Sequence, residues 1–229
     1  MKRETALKIL DQMKENYNLV AGEFSSTRRS SWEEIKPLAD YVHPGGRILD
    51  LGCGNGRLVE SFKGKKIDYL GIDNSEMLIE EARKKYPENK FIAFDGLKIP
   101  FEDYCFDTIF CIAVLHHIPS RQMRIEFLKE ANRVLKPGGR LILTVWYFWT
   151  KRTYWRLFSK FTLKKIFGKS ELDFFDIKQP WFKTAERYLH FFRKGELKNL
   201  IEETGFVVEK INIFRKGPEN KNFLVIAKK

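Results

Sequence analysis

The stretch Arg47–Gly56 constrains the fold more than any other, because an apolar run of strand length ends in three glycines at alternate positions. It reads Arg-Ile-Leu-Asp-Leu-Gly-Cys-Gly-Asn-Gly. Glycine lets the backbone turn tightly and approach a ligand without a Cβ atom in the way. Helical spacing resumes over Arg57–Phe62, and the N-terminus of a helix offers free N–H groups to a bound molecule. The stretch therefore predicts a strand-to-helix junction of an α/β fold, with a site for a nucleotide-like ligand.

Two aspartates narrow the identity of that ligand. Asp50 stands two residues before the first glycine, so the pattern is D-x-G-x-G-x-G. The dinucleotide fingerprint is instead G-x-G-x-x-G, and its third glycine would fall at Arg57. Asp73 closes a second predicted strand, Ile67–Ile72, where a carboxylate can accept hydrogen bonds from both hydroxyls of a ribose. This pair of acids predicts S-adenosylmethionine, with Asp50 facing its cationic amino acid end.

The remaining cofactor contacts are expected where the next strands end. A helix is predicted over Ser75–Lys85, with Asn74 or Ser75 as its N-cap, and the strand Phe91–Phe94 ends at an Asp-Gly pair. The Asp95 carboxylate can accept a hydrogen bond from an adenine amino group, although Asp-Gly is also a common turn. The expected cofactor-binding residues are Arg28, Asp50, Gly52, Gly54, Asp73, Asn74, Asp95, Gly96, Leu97 and Ala113.

The crevice at the carboxyl ends of the strands should hold a second group of side chains, because ligands of open α/β sheets bind there. The predicted strand Phe106–Ile112 leads into Ala113–His117, and the strand Leu141–Val145 leads into Trp146. The adjacent histidines predict no metal site, since neighbours on a helix face different ways and the sequence has no other His or Cys cluster. We expect His117 either to orient a substrate or to be a packed, hydrogen-bonded histidine.

Residues 1–46 are predicted to form a helical lid over this crevice. Apolar positions at helical spacing predict helices over Thr5–Tyr17 and Ser31–Tyr41, with Ala21–Arg29 between them. Arg28 in this segment is expected to pair with the cofactor carboxylate or with a substrate anion. The alternative is that it is simply exposed.

Positive charge is concentrated in the C-terminal third. Residues 1–46 carry seven basic and seven acidic side chains, residues 47–146 carry 16 and 14, and residues 147–229 carry 19 and nine. Segment 147–187, predicted as an insertion between strands five and six, mixes aromatic rings with ten basic residues. Phosphate neutralisation and base stacking would use this mixture. An amphipathic helix on anionic lipid would use it too, and a third reading is that the rings are core.

The chain ends with a predicted helix, Lys194–Thr204, and two strands, Val207–Phe214 and Phe223–Ala227, joined by a hairpin turn. Such an ending is typical of an antiparallel edge pair joined to a parallel sheet. We therefore expect one domain over residues 1–229, with an α/β fold. Its core would be a doubly wound, seven-stranded, mostly parallel sheet with an antiparallel last strand.

Composition bears on the cellular context. The sequence has no run of about 18 uncharged apolar residues that could span a membrane. Its charged start, Met1–Thr5, does not resemble the apolar segment of a secretion signal. The three cysteines lack C-x-x-C spacing and predict free thiols in a reducing compartment. We therefore expect a cytoplasmic protein without a bound metal.

Four stretches carry a resemblance to a known family. They are Tyr17-x-x-x-Ala21-x-x-Phe24-x-x-Thr27-Arg28-x-x-x-Trp32, Ile112-Ala-Val-Leu-His-His117, Trp146, and Pro180-Trp181 followed by Arg187-Tyr-Leu-His190-Phe-Phe-Arg193-Lys-Gly195-Glu196-Leu197. Residues 17–146 resemble a class I S-adenosylmethionine-dependent methyltransferase. The four stretches together resemble the tRNA wobble-uridine carboxymethyl methyltransferases, a family that includes the methyltransferase domain of AlkB-homologue proteins.

The resemblance implies an acceptor. That family converts the carboxymethyl group of a wobble uridine to its methyl ester, and a carboxylate acceptor needs positioning rather than a strong general base. By resemblance, Arg28, His117 and His190 would hold the carboxylate and the base, with Trp146 or Trp181 as a stacking face. The implied partners are tRNA, through the basic C-terminal third, and a small zinc-binding activator subunit.

Two alternatives stay open. One is a methyltransferase of a small-molecule or lipid-like acceptor, with the basic segment contacting a membrane surface. The other is a protein that binds the cofactor without turnover.

Overall fold

A central sheet of seven strands organises the chain. The computed structural model describes residues 1–28, 33–94, 97–150, 152–216 and 220–229. Its strands are β1 (Arg47–Leu51), β2 (Asp68–Asp73), β3 (Lys90–Ala93), β4 (Phe106–Ile112), β5 (Leu135–Tyr147), β6 (Asp176–Trp181), β7 (Ala185–His190), β8 (Val207–Lys216) and β9 (Asn220–Lys228). The main sheet has the order β3-β2-β1-β4-β5-β9-β8, and β6 pairs with β7 in a separate two-stranded sheet.

The pairing directions match the fold class predicted from the sequence. Strands β1 to β5 are parallel to one another, while β9 runs antiparallel between β5 and β8. Ile48, Leu49 and Leu51 of β1 are fully buried, as expected for a central parallel strand covered on both faces. The prediction of a doubly wound, mostly parallel sheet with an antiparallel last strand is confirmed.

Six α-helices flank the sheets in the described part of the chain. They are α1 (Arg3–Leu19), α2 (Ala21–Ser26), α3 (Glu76–Lys85), α4 (Arg121–Val134), α5 (Arg152–Ile166) and α6 (Lys194–Glu202). The Ser75 hydroxyl accepts a hydrogen bond from the Leu78 N–H at 3.2 Å, which makes Ser75 rather than Asn74 the N-cap of α3. Within the described residues no helix is long and apolar enough to cross a membrane.

Several local predictions differ from the structure. Arg57–Phe62 and Glu33–Tyr41 form 3₁₀ helices rather than α-helices. Pro37 lies inside the second of these and lacks the N–H that an α-helix interior requires. Strand β5 begins at Leu135 rather than at Leu141, because Leu135 already pairs with Phe106 across an irregular register.

The segment predicted as an insertion, 147–187, contains α5, β6 and the start of β7, and the β6–β7 hairpin was not expected from the sequence. Part of its aromatic content is core. Phe148, Ile177, Leu189 and Phe191 form a buried cluster, against which rings of α5 pack. Helix α1 contacts both β7 and α3, so it bridges the hairpin and the main sheet above the carboxyl ends of the strands.

Candidate active site

A pocket lies at the carboxyl ends of the parallel strands, beneath α1 and α2. The predicted site residues that line it are Arg28, Asp50, Gly52, Gly54, Asp73, Asn74, Leu97, Ala113, His117 and Trp146. Asp95 and Gly96 lie outside the described residues. The sheet topology explains the convergence: β1, β2, β4 and β5 are neighbours, and each of them ends at this edge.

The glycine loop shapes the floor of the pocket. Gly52 has φ +80°, and a Cβ atom there would lie 2.3 Å from the Val114 side chain. Gly54 has φ +54°, but a Cβ atom there would meet nothing closer than Phe24 at 3.7 Å. The protein itself fills the space beside Gly52, whereas the space above Gly54 is open to a ligand. The loop therefore has the form of a cradle.

Asp73 joins that loop to the next strand. Its Oδ2 atom accepts a hydrogen bond from the Gly54 N–H at 2.8 Å, and its Oδ1 atom accepts one from the Ser75 N–H at 2.9 Å. Burial raises the pKa of the carboxyl group, and these backbone hydrogen bonds oppose the rise. A carboxylate has about four lone-pair sites. The lone-pair sites that the backbone leaves open can accept from hydroxyl donors, which fits the expected ribose contact.

Asp50 supplies the second carboxylate and is only 2% exposed. Burial raises its pKa to about 7, although the Tyr69 hydroxyl donates a hydrogen bond to Oδ2 at 2.6 Å and favours the ionised form. A cationic ligand group beside this carboxylate would stabilise the charge that burial disfavours. Among the described residues the buried Oδ1 of Asn55 has no hydrogen-bond partner, and Asn55 also lines the pocket. These groups fit the polar and cationic parts of S-adenosylmethionine.

Ala113 enters the pocket from the end of β4 in a strained conformation. Its backbone φ of +61° is one that residues with a Cβ atom rarely adopt. The backbone N–H donates to Thr144, both to its carbonyl oxygen at 3.0 Å and to its hydroxyl at 3.0 Å. These bonds to β5 hold the turn that brings Ala113 against the pocket.

His117 is held on both ring nitrogens. Its Nδ1 atom lies 3.1 Å from the Tyr188 carbonyl oxygen, and its Nε2 atom lies 3.1 Å from the Tyr17 hydroxyl. Only a donor can bond the carbonyl, so Nδ1 carries the proton and the neutral ring accepts from Tyr17 through Nε2. Burial lowers the pKa of His117 to about 3, so the ring is neutral at physiological pH. It can orient neighbours but has no free nitrogen for general-base catalysis.

Arg187 is a pocket residue that the sequence-based set of site residues missed. It is buried, and its guanidinium lies 4.6 Å from the ring centroid of Trp146 and 5.4 Å from that of Trp181. Its Nη2 atom donates to Gln179 Oε1 at 3.2 Å across the hairpin. Arg28 and Arg57 also line the pocket, so three cations face it. The stretch from Arg187 to His190 carries part of the family resemblance, but only a recognised hairpin would have shown which side chain faces the pocket.

His190 is not among the side chains that line the pocket, which corrects its assignment as an acceptor-binding residue. Its Nδ1 atom lies 2.6 Å from Asp176 Oδ1, and its Nε2 atom lies 2.7 Å from Glu196 Oε1. Side chains three positions apart on a strand point to opposite faces. Since Arg187 faces the pocket, His190 faces away, and its two carboxylate partners tie β7 to β6 and α6.

The fold and the site together define a class I S-adenosylmethionine-dependent methyltransferase. Residues 49–143 match the model of the family described as a methyltransferase domain. A protein of Encephalitozoon cuniculi that carries the name of a methyltransferase is 31% identical over 216 residues, covering 93% of each chain. The chain therefore belongs to the S-adenosylmethionine-dependent methyltransferases, and S-adenosylmethionine is its cofactor.

Other relatives carry names from tRNA modification. The "tRNA (carboxymethyluridine(34)-5-O)-methyltransferase" of Schizosaccharomyces pombe is 28% identical over 225 residues, covering 93% of this chain and 94% of that protein. "Probable tRNA methyltransferase 9B" of Bos taurus is 36% identical over 130 residues. This match covers 57% of the chain but only 28% of the bovine protein, so the chain spans about a quarter of that relative.

Solved structures share the fold. A SAM-dependent methyltransferase from Methanosarcina mazei superposes with a TM-score of 0.73 at 24% identity, covering 87% of this chain and 98% of that one. A Haloferax volcanii chain, solved in complex with the Trm112 methyltransferase activator, superposes with a TM-score of 0.68 at 16% identity, covering 94% and 96%. At these identities the likeness concerns the fold alone.

Proposed function

We propose that this enzyme methylates the carboxylate of 5-carboxymethyluridine at the wobble position of tRNA, giving the methyl ester. The observation that carries the proposal is the meeting of two pocket residues, a buried arginine in contact with the Trp146 and Trp181 rings and a neutral, fully hydrogen-bonded histidine. The name of the Schizosaccharomyces pombe relative, which aligns along most of both chains, supports the same acceptor.

Acid–base chemistry separates this acceptor from a hydroxyl or an amine. A carboxylate is already ionised at neutral pH, whereas a hydroxyl must lose a proton as it is methylated. His117 cannot take that proton because its pKa is about 3 and both of its nitrogens are engaged. Removal of the Tyr17 hydroxyl from water raises its pKa to about 12, so this group is not a base at neutral pH either. The site therefore suits an acceptor that arrives without a proton.

The described residues at one end of the pocket would hold the cofactor, and those at the other end would hold the acceptor. Bound S-adenosylmethionine supplies an activated methyl group. Asp73 would accept from its ribose hydroxyls, and Asp50 would pair with its amino group. At the other end, the Arg187 guanidinium attracts the acceptor carboxylate and fixes its position, a contact that Arg28 is placed to supplement.

Aromatic side chains enclose the acceptor end. Tyr17 and Phe24 of the lid approach Trp181 of the hairpin, with ring centroids 4.7 and 5.9 Å away. Trp146 contributes a half-buried ring on the sheet side. Tyr17, Phe24 and Trp146 line the pocket, so they offer a stacking face for a uracil base and keep water from the reacting groups. Trp181 does not line the pocket and instead supports Tyr17 and Phe24 by packing against them.

The test is transfer of label from S-adenosylmethionine to tRNA that carries carboxymethyluridine. Such tRNA can be taken from cells that lack this protein, with the same tRNA bearing plain uridine as the control. Mass spectrometry of the nucleosides should show the methyl ester only with the first substrate. Label on the uridine control, or none on either tRNA with activator present, would contradict the proposal.

Binding of tRNA is assigned to the basic C-terminal third, and an activator subunit is a second proposed partner. Activator is included in the assay because the similar Haloferax volcanii chain was solved in complex with the Trm112 activator. Phosphate-dominated binding should weaken steeply between low and moderate salt. A small or lipid-like acceptor in an apolar pocket would respond little, so a flat salt profile would favour the alternative acceptor class.

A further inference from the structure

Helix α5 carries an apolar stripe on its solvent side that neither the cofactor site nor the acceptor site uses. Trp155, Leu163 and Ile166 are 48%, 54% and 63% exposed, and Phe167, just past the helix, is 70% exposed. Positions 155, 163 and 166 are eight and three residues apart, which places their side chains on one side of an α-helix. Three large apolar side chains on one side of the helix are thus exposed to water, and Phe167 follows them.

The opposite side of the helix already serves the core. Leu157, Phe158 and Phe161 pack against the buried cluster of the hairpin, and the Phe158 ring stacks on that of Phe191 at 5.9 Å. The helix is therefore held to the domain by one apolar side while it presents a second one outward. At the start of the stripe, the Trp155 ring contacts those of Trp149 and Phe158, and its Nε1 atom donates to the Trp149 carbonyl oxygen. Leu163 and Ile166 are therefore the side chains that most need an outside partner.

Cations flank the stripe in a part of the sequence that lacks acidic residues. Residues 146–170 contain no Asp or Glu. Arg156, Lys160, Lys164 and Lys169 are exposed, and Lys165 is partly exposed. On the helix, Arg156, Lys160 and Lys164 follow one another at intervals of four, so they form a row beside the apolar stripe.

We propose that this face of α5 docks on the surface of an anionic lipid bilayer. Apolar side chains would enter the boundary between headgroups and acyl chains, while the lysine and arginine row contacts the lipid phosphates. The face is the convex side of a helix, which suits a planar surface. The inference does not depend on the identity of the methyl acceptor.

Charge and side-chain chemistry argue against two other occupants. A second copy of the chain would bring the same cations against each other with no acid to pair them. RNA phosphates would attract the cations, and the rings of Trp155 and Phe167 can stack on bases. The aliphatic side chains of Leu163 and Ile166, however, offer neither a stacking face nor a hydrogen bond to a base, so RNA would leave them in water. Only a partner that is both apolar and anionic uses the whole face.

The test is co-sedimentation of the full chain with vesicles of phosphatidylcholine, with and without phosphatidylglycerol. Binding should require the anionic lipid. The double variant Leu163→Glu, Ile166→Glu should abolish it, and Lys160→Gln with Lys164→Gln should weaken it about fivefold for each lysine removed. All replaced side chains are exposed, so thermal unfolding should be unchanged.

Matched variants elsewhere provide the control. One control, Val207→Glu with Ile213→Glu, alters two exposed apolar residues of β8. The other, Lys63→Gln with Lys66→Gln, removes two exposed cations that are distant from α5 in the sequence. Both should bind vesicles as the wild type does. The proposal is overturned by equal binding to neutral and anionic vesicles, or by no binding. It is overturned as well if the Leu163, Ile166 variant loses tRNA binding or self-association while its vesicle binding persists.

Discussion

Cofactor affinity should depend on the ionisation of Asp50. Burial raises the pKa of this carboxyl group to about 7, and the ionised form is the one that pairs with a cationic ligand. At pH 8 about nine-tenths of the carboxyl groups are ionised, and at pH 6 about one-tenth. The apparent affinity for S-adenosylmethionine should therefore fall about tenfold as the pH falls from 8 to 6. The direction of the effect follows from the raised pKa of Asp50. S-adenosylmethionine binds most tightly at pH values above this pKa and more weakly at pH values below it.

Isothermal titration calorimetry of wild type and Asp50→Asn across this range measures the effect. The amino group of the ligand itself titrates near pH 7.7–8.0, but it does so with both proteins. The ratio of the two dissociation constants therefore isolates Asp50. Tyr69→Phe removes the hydroxyl that donates to the carboxylate at 2.6 Å and should move the midpoint of the ratio to higher pH. A ratio that stays constant between pH 6 and 8 would refute the reasoning.

Three further predictions concern single side chains. Asp73→Ala should weaken S-adenosylmethionine binding by about 1–3 kcal/mol, because ribose hydroxyls lose their acceptor; unchanged affinity in calorimetry would contradict its placement. Arg187→Gln should lower kcat/KM for tRNA by about 10–100-fold, roughly the value of a charged hydrogen bond, while cofactor affinity stays constant; loss of both would indicate a damaged fold. Gly52→Ala should lower the free energy of unfolding by about 1–3 kcal/mol, since its Cβ would lie 2.3 Å from Val114; chemical denaturation checks this value.

The cofactor end of the pocket could be predicted from the sequence because its geometry is local. Asp50, Gly52 and Gly54 follow one strand, Asp73 ends the next, and parallel strands bring such residues to one edge. The pattern of glycines and acids therefore carries both the chemistry and the position. What the pattern could not give was the pKa of Asp50, because that depends on burial beneath a lid contributed by α1 and α2.

The acceptor end could not be predicted to the same depth, because its residues meet across long sequence separations. His117 is bonded to Tyr17, 100 residues away, and to Tyr188, 71 residues away. The β6–β7 hairpin has no strong turn signal, so the sequence did not show on which face of the hairpin each side chain lies. The resemblance drew attention to Arg187–His190, but strand alternation puts Arg187 on the pocket side and His190 on the other.

The separation between the two ends explains why the class of enzyme is easier to recognise than its acceptor. The family match covers residues 49–143, which supply the carboxylates and the glycine loop. Tyr17 and Phe24 come from before this range, and Trp181 and Arg187 come from after it. The proposed acceptor end is thus built mainly from the lid and the inserted hairpin, which pack on each other through Tyr17 and Trp181. Changes in these two segments can alter the acceptor while the cofactor site remains intact, so evidence for the acceptor has to come from their side chains.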